Sequence, residues 1–449
     1  MSLENQFNSG LSADRNAGTL VSALLLAVIT IETIPLPIPI YIAPATSLGA
    51  LILLPVVYWH FGNYDRSPLG YAVGILFGYA LIHSLVFLAI DYATVSSGFL
   101  RAKWWIEQVV ALSVGVAVFF VLRVTLRDVS TDERTQYLLL GGLLSVIPAY
   151  FSIAWMVTGF DALAIVPRLV RGFAPTGFEG LWRTTGFASE PSHFAFLIVT
   201  TLLPAALLHY ADDWRRVAIV CGGLLIILLT TLSTTGMLLL VIFVAALTLL
   251  SGRWKFAALG IGLVMLGIAV FVILLPHTYM AKQLTFLVTG GWRHSINTRF
   301  FSTIGPVFAA FSSIHGFVGY GLGGTAAHTT QLLPTKSLAS LAHNSGGTIS
   351  LKTLVGRIVA ELGIPGLAIV GVVFGGAYVQ LARMHDYDFS PWNWTFEYRV
   401  IAAALVTAVF GHGIGNASFA IPVVWLWLAW IDADSLSQSA NRRHNKHPR

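Results

Sequence analysis

Charge is what this chain has least of. Asp, Glu, Lys and Arg together make up 10% of its 449 residues, against roughly a quarter in an ordinary soluble domain. With 56% hydrophobic residues, that scarcity excludes a water-soluble globular chain and leaves an integral membrane protein. Cysteine is nearly missing too: Cys221 stands alone inside an apolar run, so no disulfide framework can form. The thirteen histidines show no i, i+4 pairing with an acidic partner and no cysteine cluster, so no metal and no cofactor is expected. Internal repeats and inverted half-and-half symmetry are also lacking, which weighs against the common secondary-transporter architectures.

What the chain does have is apolar runs, each about 17 to 25 residues, from one end to the other. They lie near 19–38, 44–60, 70–90, 105–126, 136–158, 193–210, 216–234, 236–250, 255–275, 355–381, 398–414 and 417–432. The runs are continuous rather than alternating, so the expected fold is all-α, a polytopic bundle of about twelve membrane helices. A single membrane domain takes up residues 1–449. Within it, 216–250 reads as two short helices broken around Thr234, Thr235 and Gly236. Glycine spacings such as Gly70 with Gly74, and Gly371 with Gly375, suggest close helix packing.

Basic residues set the orientation. If the N-terminus is cytoplasmic, inside segments hold Arg15, Arg66, Arg123, Arg127, Arg134, Arg215, Arg216, Arg253, Lys255, Arg383, Arg399 and a basic tail, whereas short outside loops hold only Arg101 and Lys103. Both termini are then cytoplasmic, and the long polar segments 159–192 and 276–354 face outward. The net charge of +6 reflects this bias and suits anionic lipid headgroups, not nucleic acid. Segment 276–354 is expected to form short helices on or in the outer membrane surface, as a cover over a cavity.

Two polar islands interrupt the oil. The first runs from Trp182 through Arg183, Thr184, Thr185, Gly186, Phe187, Ala188, Ser189, Glu190, Pro191 and Ser192 to His193. The second holds Arg293, Arg299, a turn Gly319-Tyr320-Gly321-Leu322-Gly323-Gly324, and His343 with Asn344. Charges crowded at the mouth of a span are costly as packing alone, and arginines there fit an anionic ligand. The backbone N–H groups of the glycine turn can approach a phosphate closely. Arg183, Arg293 and Arg299 can equally snorkel to headgroups, Glu190 can simply favour a helix start, and His343 can be an ordinary loop histidine. His193 reads as structural, and His412 with Asn416 as an interhelical polar contact. Asp91, Asp161, Glu179 and Tyr320 are candidates for sugar contact.

The element Arg183-x-x-Gly-Phe-x-x-Glu190-Pro-Ser resembles the signature region of bacterial exopolysaccharide and O-antigen polymerases, the Wzy-type proteins. The stretch from Arg299 to Gly319-x-Gly321, with His343-Asn344 and Glu361-Leu-Gly-Ile-Pro-Gly366, resembles the domain those polymerases share with O-antigen ligases. The resemblance covers roughly residues 180 to 370. Two departures stand out: the distance from His343 to Glu361 is long for the family, and Ser233-Thr234-Thr235-Gly236 occupies a helix break where the family often carries an arginine.

The resemblance implies a metal-independent glycosyltransferase of the GT-C type in the bacterial inner membrane. It would move a glycan from undecaprenyl diphosphate to a sugar hydroxyl of another lipid-linked repeat unit at the periplasmic face. Its implied catalytic residues are Arg183 and Arg299, on the departing diphosphate, and His343 or Glu190, as base. Arg293, Tyr320, Gly321 and Asn344 would bind substrate. Its partners are membrane lipids, the lipid-linked oligosaccharide and a chain-length regulator. The alternatives are an O-antigen ligase acting on lipid A-core and, further off, a lipid-linked oligosaccharide transporter.

Overall fold

The computed structural model describes residues 18–29, 45–60, 66–94, 98–167, 184, 186–188, 190–253, 261–262, 266, 269, 294–326, 328, 351, 353–415 and 418–446. Among these residues the chain is all-helical, without strands. The helices are α1 (Gly18–Ala27), α2 (Ala45–His60), α3 (Pro68–Thr94), α4 (Gly98–Thr125), α5 (Thr131–Thr158), α6 (Pro191–His209), α7 (Trp214–Thr230), α8 (Thr234–Leu250), α9 (His294–Ser312), α10 (Ile314–Val318), α11 (Leu354–Met384), α12 (Phe396–Gly415) and α13 (Pro422–Lys446). Five of them, α3, α4, α5, α6 and α11, are long and apolar enough to cross a membrane. The apolar run expected at 255–275 falls mostly outside the described residues.

Local chemistry sets the boundaries. Ser130 and Glu133 form a reciprocal capping box that starts α5, and Gly159 in the left-handed region ends it. The 216–250 run does break in two. Leu232 has φ +50, and the Ser233 side chain accepts the Gly236 amide to start α8. In α6 a π-turn spans Ile198–Leu202. Pro204 lacks the N–H that would bond Thr200, and the Trp427 indole donates to that carbonyl at 2.9 Å.

Packing pairs α3 with α11, α4 with α2 and α13, α5 with α6, α8 with α12, and α9 with α11. At one end of the bundle, buried ion pairs clamp the helices. Asp432 takes Arg123 at 2.9 Å, Ser67 at 2.8 Å and Gln380 at 2.7 Å, while Arg134 holds Asp434 at 2.7 Å. Gly70 lies against the Arg123 guanidinium, so its lack of a side chain is used. Among the described residues a Cβ at Gly74, Gly371 or Gly375 would meet nothing within 4 Å, so no helix contact is seen at those spacings there.

The helices are of unequal length, and this shapes the other end. His209 of α6 meets Asp132 of α5 at 2.7 Å. From that level α6 runs back 18 residues to Pro191 and α5 runs on 26 to Thr158, so α6 begins about 12 Å short at 1.5 Å per residue. Gly115 of α4 packs so closely on the Phe419 carbonyl that a Cβ there would collide with it. The turn joining α12 and α13 therefore sits about 25 Å along α4 from Gly98. Among the described residues the helix ends are therefore stepped, leaving a recess between them at the end opposite the Asp432 clamp.

Candidate functional site

Both described parts of the polar islands fold toward this recess. Thr184 donates its amide to Thr230 at the end of α7 at 3.2 Å, and the two hydroxyls lie 3.0 Å apart. Gly186, with φ +55, packs where a Cβ would meet the Phe194 ring and the Ser145 carbonyl, each at 2.7 Å. Ser145 lies midway along α5, so the segment leading to Glu190 dips inward. Glu190 then caps α6 as a half-buried residue, with Pro191 at the first helical position. Its carboxylate accepts the Ser192 hydroxyl at 3.1 Å.

The second island dips as well. The turn that follows α10 threads between α3 and α4, because its glycines allow backbone to touch backbone. A Cβ at Gly323, φ +71, would sit 2.6 Å from the Trp104 carbonyl carbon, and one at Gly321, φ +74, would sit 2.9 Å from Phe87. The turn docks on α11, whose helix breaks at Gly363, φ +70 and ψ −171. Tyr320 donates its amide to Ala360 at 2.9 Å and Gly321 to Glu361 at 2.8 Å. The Tyr79 hydroxyl donates to the Leu362 carbonyl at 2.9 Å.

A buried ionic network holds the turn from its other side. Arg101, fully buried, donates to Asp91 at 2.7 Å, to the Leu322 carbonyl at 2.7 Å and to the Tyr320 carbonyl at 3.0 Å. His328 meets the second Asp91 oxygen at 3.0 Å and stacks on the Tyr320 ring at 4.4 Å. Ser84 accepts the Leu322 amide at 2.9 Å. Glu361, 1% exposed, accepts the Thr325 hydroxyl and faces Arg357 at 4.0 Å. Arg357 in turn donates to Gln108 at 2.7 Å, about 15 Å along α4 from its first residue.

These contacts change the reading of several residues. The turn amides offered to a phosphate are donated to protein acceptors instead: Gly319 to His315 at 2.8 Å, Gly323 to the Glu361 carboxylate and Gly324 to Gly321 at 2.8 Å complete the set with Tyr320, Gly321 and Leu322. Tyr320, only 4% exposed, presents its ring to His328, and burial pushes its phenol above the usual range. Asp91, a candidate sugar ligand, is closed into the pair with Arg101. Arg101 itself reads in the sequence as a rim charge because its carbonyl acceptors lie more than 200 positions away. Asp161 is exposed beyond α5.

Segment 276–354 is described in part, and there a long helix precedes the short α10. Its described part includes the 19-residue α9, which packs along α11. The Thr303 and Thr353 hydroxyls lie 2.8 Å apart, and a Cβ at Gly356 would collide with the Ser302 carbonyl. Position 299 belongs to α9 one turn before Ser302; the Arg299 side chain, together with Arg183, Arg293, His343, Asn344, Glu179 and Asn416, lies outside the described residues.

The two islands are joined through α12. Its last turn stands between Phe196 of α6, which it meets at His412, and Val355 of α11, which lies 3.3 Å from a Cβ at Gly413. Among the described residues no group of His, Cys, Asp and Glu is arranged to hold a metal ion. No family model, curated protein or solved structure matches the chain.

Proposed function

We propose that the chain is a polytopic inner-membrane glycan polymerase with about twelve spans and a GT-C-type arrangement, its recess opening to the periplasm and both termini in the cytoplasm. One observation supports the reading above others. Glu190 lies six residues, about 9 Å, before the Phe196 that touches α12, and position 299 lies about 4.5 Å before the Ser302 that touches α11. The start of α6 and the start of α9 thus flank a single helix end, although more than a hundred residues separate them in sequence.

The proposed reaction needs two kinds of group there. As the glycosidic bond to undecaprenyl diphosphate breaks, its electron pair leaves with the diphosphate, and Arg183 and Arg299 stabilise the growing charge. An acceptor sugar hydroxyl forms the new bond to the anomeric carbon, and its proton passes to His343 or Glu190. Arginines serve this better in a recess below the helix ends than at a wet rim, because fixed charges act more strongly where water is scarce.

Purified protein in vesicles with a lipid-linked repeat unit tests the proposal. A ladder of products without added lipid A-core is expected, and Arg183→Ala or Arg299→Ala should abolish it while insertion is unchanged. Product only on added core would favour a ligase, and unaltered ladders in both variants would refute the arginine mechanism.

A further inference from the structure

One buried titratable side chain beneath the start of α6 has no task in the scheme above. His412, on the last turn of α12, is 2% exposed, and neither Nδ1 nor Nε2 has a hydrogen-bond partner among the described residues. Its ring stands edge-on to Phe196, with centroids 5.1 Å apart and planes at 89°. The adjacent glycines let helices close around it: a Cβ at Gly411 would lie 2.7 Å from the Phe196 ring and 3.1 Å from Leu239 of α8. Among the described residues, another imidazole, His193 of α6, acts on it electrostatically.

As packing, this residue is a poor choice. Each buried polar atom left unmet costs about 1–3 kcal/mol, and phenylalanine would fill a similar space without that cost. His328 shows the satisfied alternative in the same protein, bonded to Asp91 and stacked on Tyr320. The expected interhelical bond for His412 is therefore not made among the described residues. Its position matters for another reason: it occupies the helix end that Glu190 and position 299 flank.

We propose that His412 is a substrate contact that hydrogen-bonds a hydroxyl of the glycan held in the recess. An imidazole presents one N–H donor and one bare acceptor nitrogen, and a sugar hydroxyl is likewise both donor and acceptor. The described neighbours of His412, the Phe196 ring and, beside the adjacent glycines, Leu239 and Val355, are apolar, so the neutral imidazole is itself the polar group there and matches a neutral hydroxyl. The identity of the ligand rests on the polymerase reading; the unmet nitrogens do not.

The full-length protein with His412→Phe and His412→Gln provides the test, read by Tm without substrate, by the Tm shift on adding a lipid-linked repeat unit, and by KM for chain extension. Expected for His412→Phe are a Tm about 2 °C above wild type, a reduced substrate-induced shift, and a KM raised about tenfold, the size of one good hydrogen bond. His412→Gln, which keeps a donor and an acceptor, recovers part of the loss. A lower Tm for His412→Phe shows a structural partner and overturns the proposal, as does an unchanged KM and shift. If wild type extends no chain, the polymerase reading falls, and the two Tm measurements still decide whether His412 meets a ligand.

Discussion

The amide of Gly321 donates to the carbonyl oxygen of Glu361 at 2.8 Å, and that oxygen is free because of a residue four positions further on. Pro365 has no N–H to give it. The motif Glu361-Leu-Gly-Ile-Pro-Gly366 thus builds a docking edge, with Gly363 opening the helix and Pro365 keeping it from closing again.

Gly363→Ala should therefore break the docking. The glycine has φ +70, and a Cβ there would collide with the Val318 carbonyl oxygen. Left-handed strain alone costs about 1–3 kcal/mol, and the backbone clash adds to it. A clear drop in Tm is expected, with faster proteolysis within 313–328. Wild-type Tm and protease resistance would show that the break is not needed.

The Asp91–Arg101 pair makes a sharper test. Asp91→Ala leaves a fully buried guanidinium without its counter-charge, a loss of about 3–5 kcal/mol. Adding Arg101→Met should recover part of that loss, because the orphaned charge goes with it. A double variant less stable than Asp91→Ala alone would mean that the carbonyl bonds to Tyr320 and Leu322 outweigh the ion pair.

Trp427→Phe should cost about 1–3 kcal/mol. The change keeps an aromatic ring but leaves the Thr200 carbonyl, already deprived by Pro204, without a donor. Thermal unfolding measures it, and Pro204→Ala in the same background should return part of the stability by supplying a helical N–H. No recovery would place the cost in lost ring packing instead.

The α11–α12 connection carries a pH dependence of definite sign. The Asn393 side chain and the Ser390 amide donate to the Asp388 carboxylate and hold its pKa below the usual value. A depressed folded pKa means stability that is present above the unfolded value and lost as pH falls through the folded one. Asp388→Asn should loosen this turn at neutral pH and make no difference in strong acid. Hydrogen exchange at Ser390 and Trp394 against pH reads it; equal exchange in both proteins at pH 7 would contradict the assignment.

Helix positions were legible because hydropathy accumulates over many residues: α3, α4, α5, α6 and α11 all fall on expected runs. The break before α8 was legible around Thr234, Thr235 and Gly236, whereas the cap that Ser233 supplies there emerged only in the structure. The inward course of the 319–325 turn was not, since it depends on Ala360, Glu361, Asp91 and Arg101, none of them near it in sequence. Glycine spacing misled for the same reason. A small residue shows that a neighbour can approach, and only the packed structure shows that one approaches Gly70 and that no described residue approaches Gly371.

The helix that carries position 299 also has an oily outer edge. Phe308 and Phe311, with Ile314 just beyond them, remain at least 70% exposed, while Thr303 on the same stretch is bonded to Thr353. On the proposed function, this edge would let the greasy tail of a lipid-linked substrate stay in oil while its head reaches the recess. It would thereby favour a substrate tethered to a lipid tail over a loose sugar, which must arrive through water.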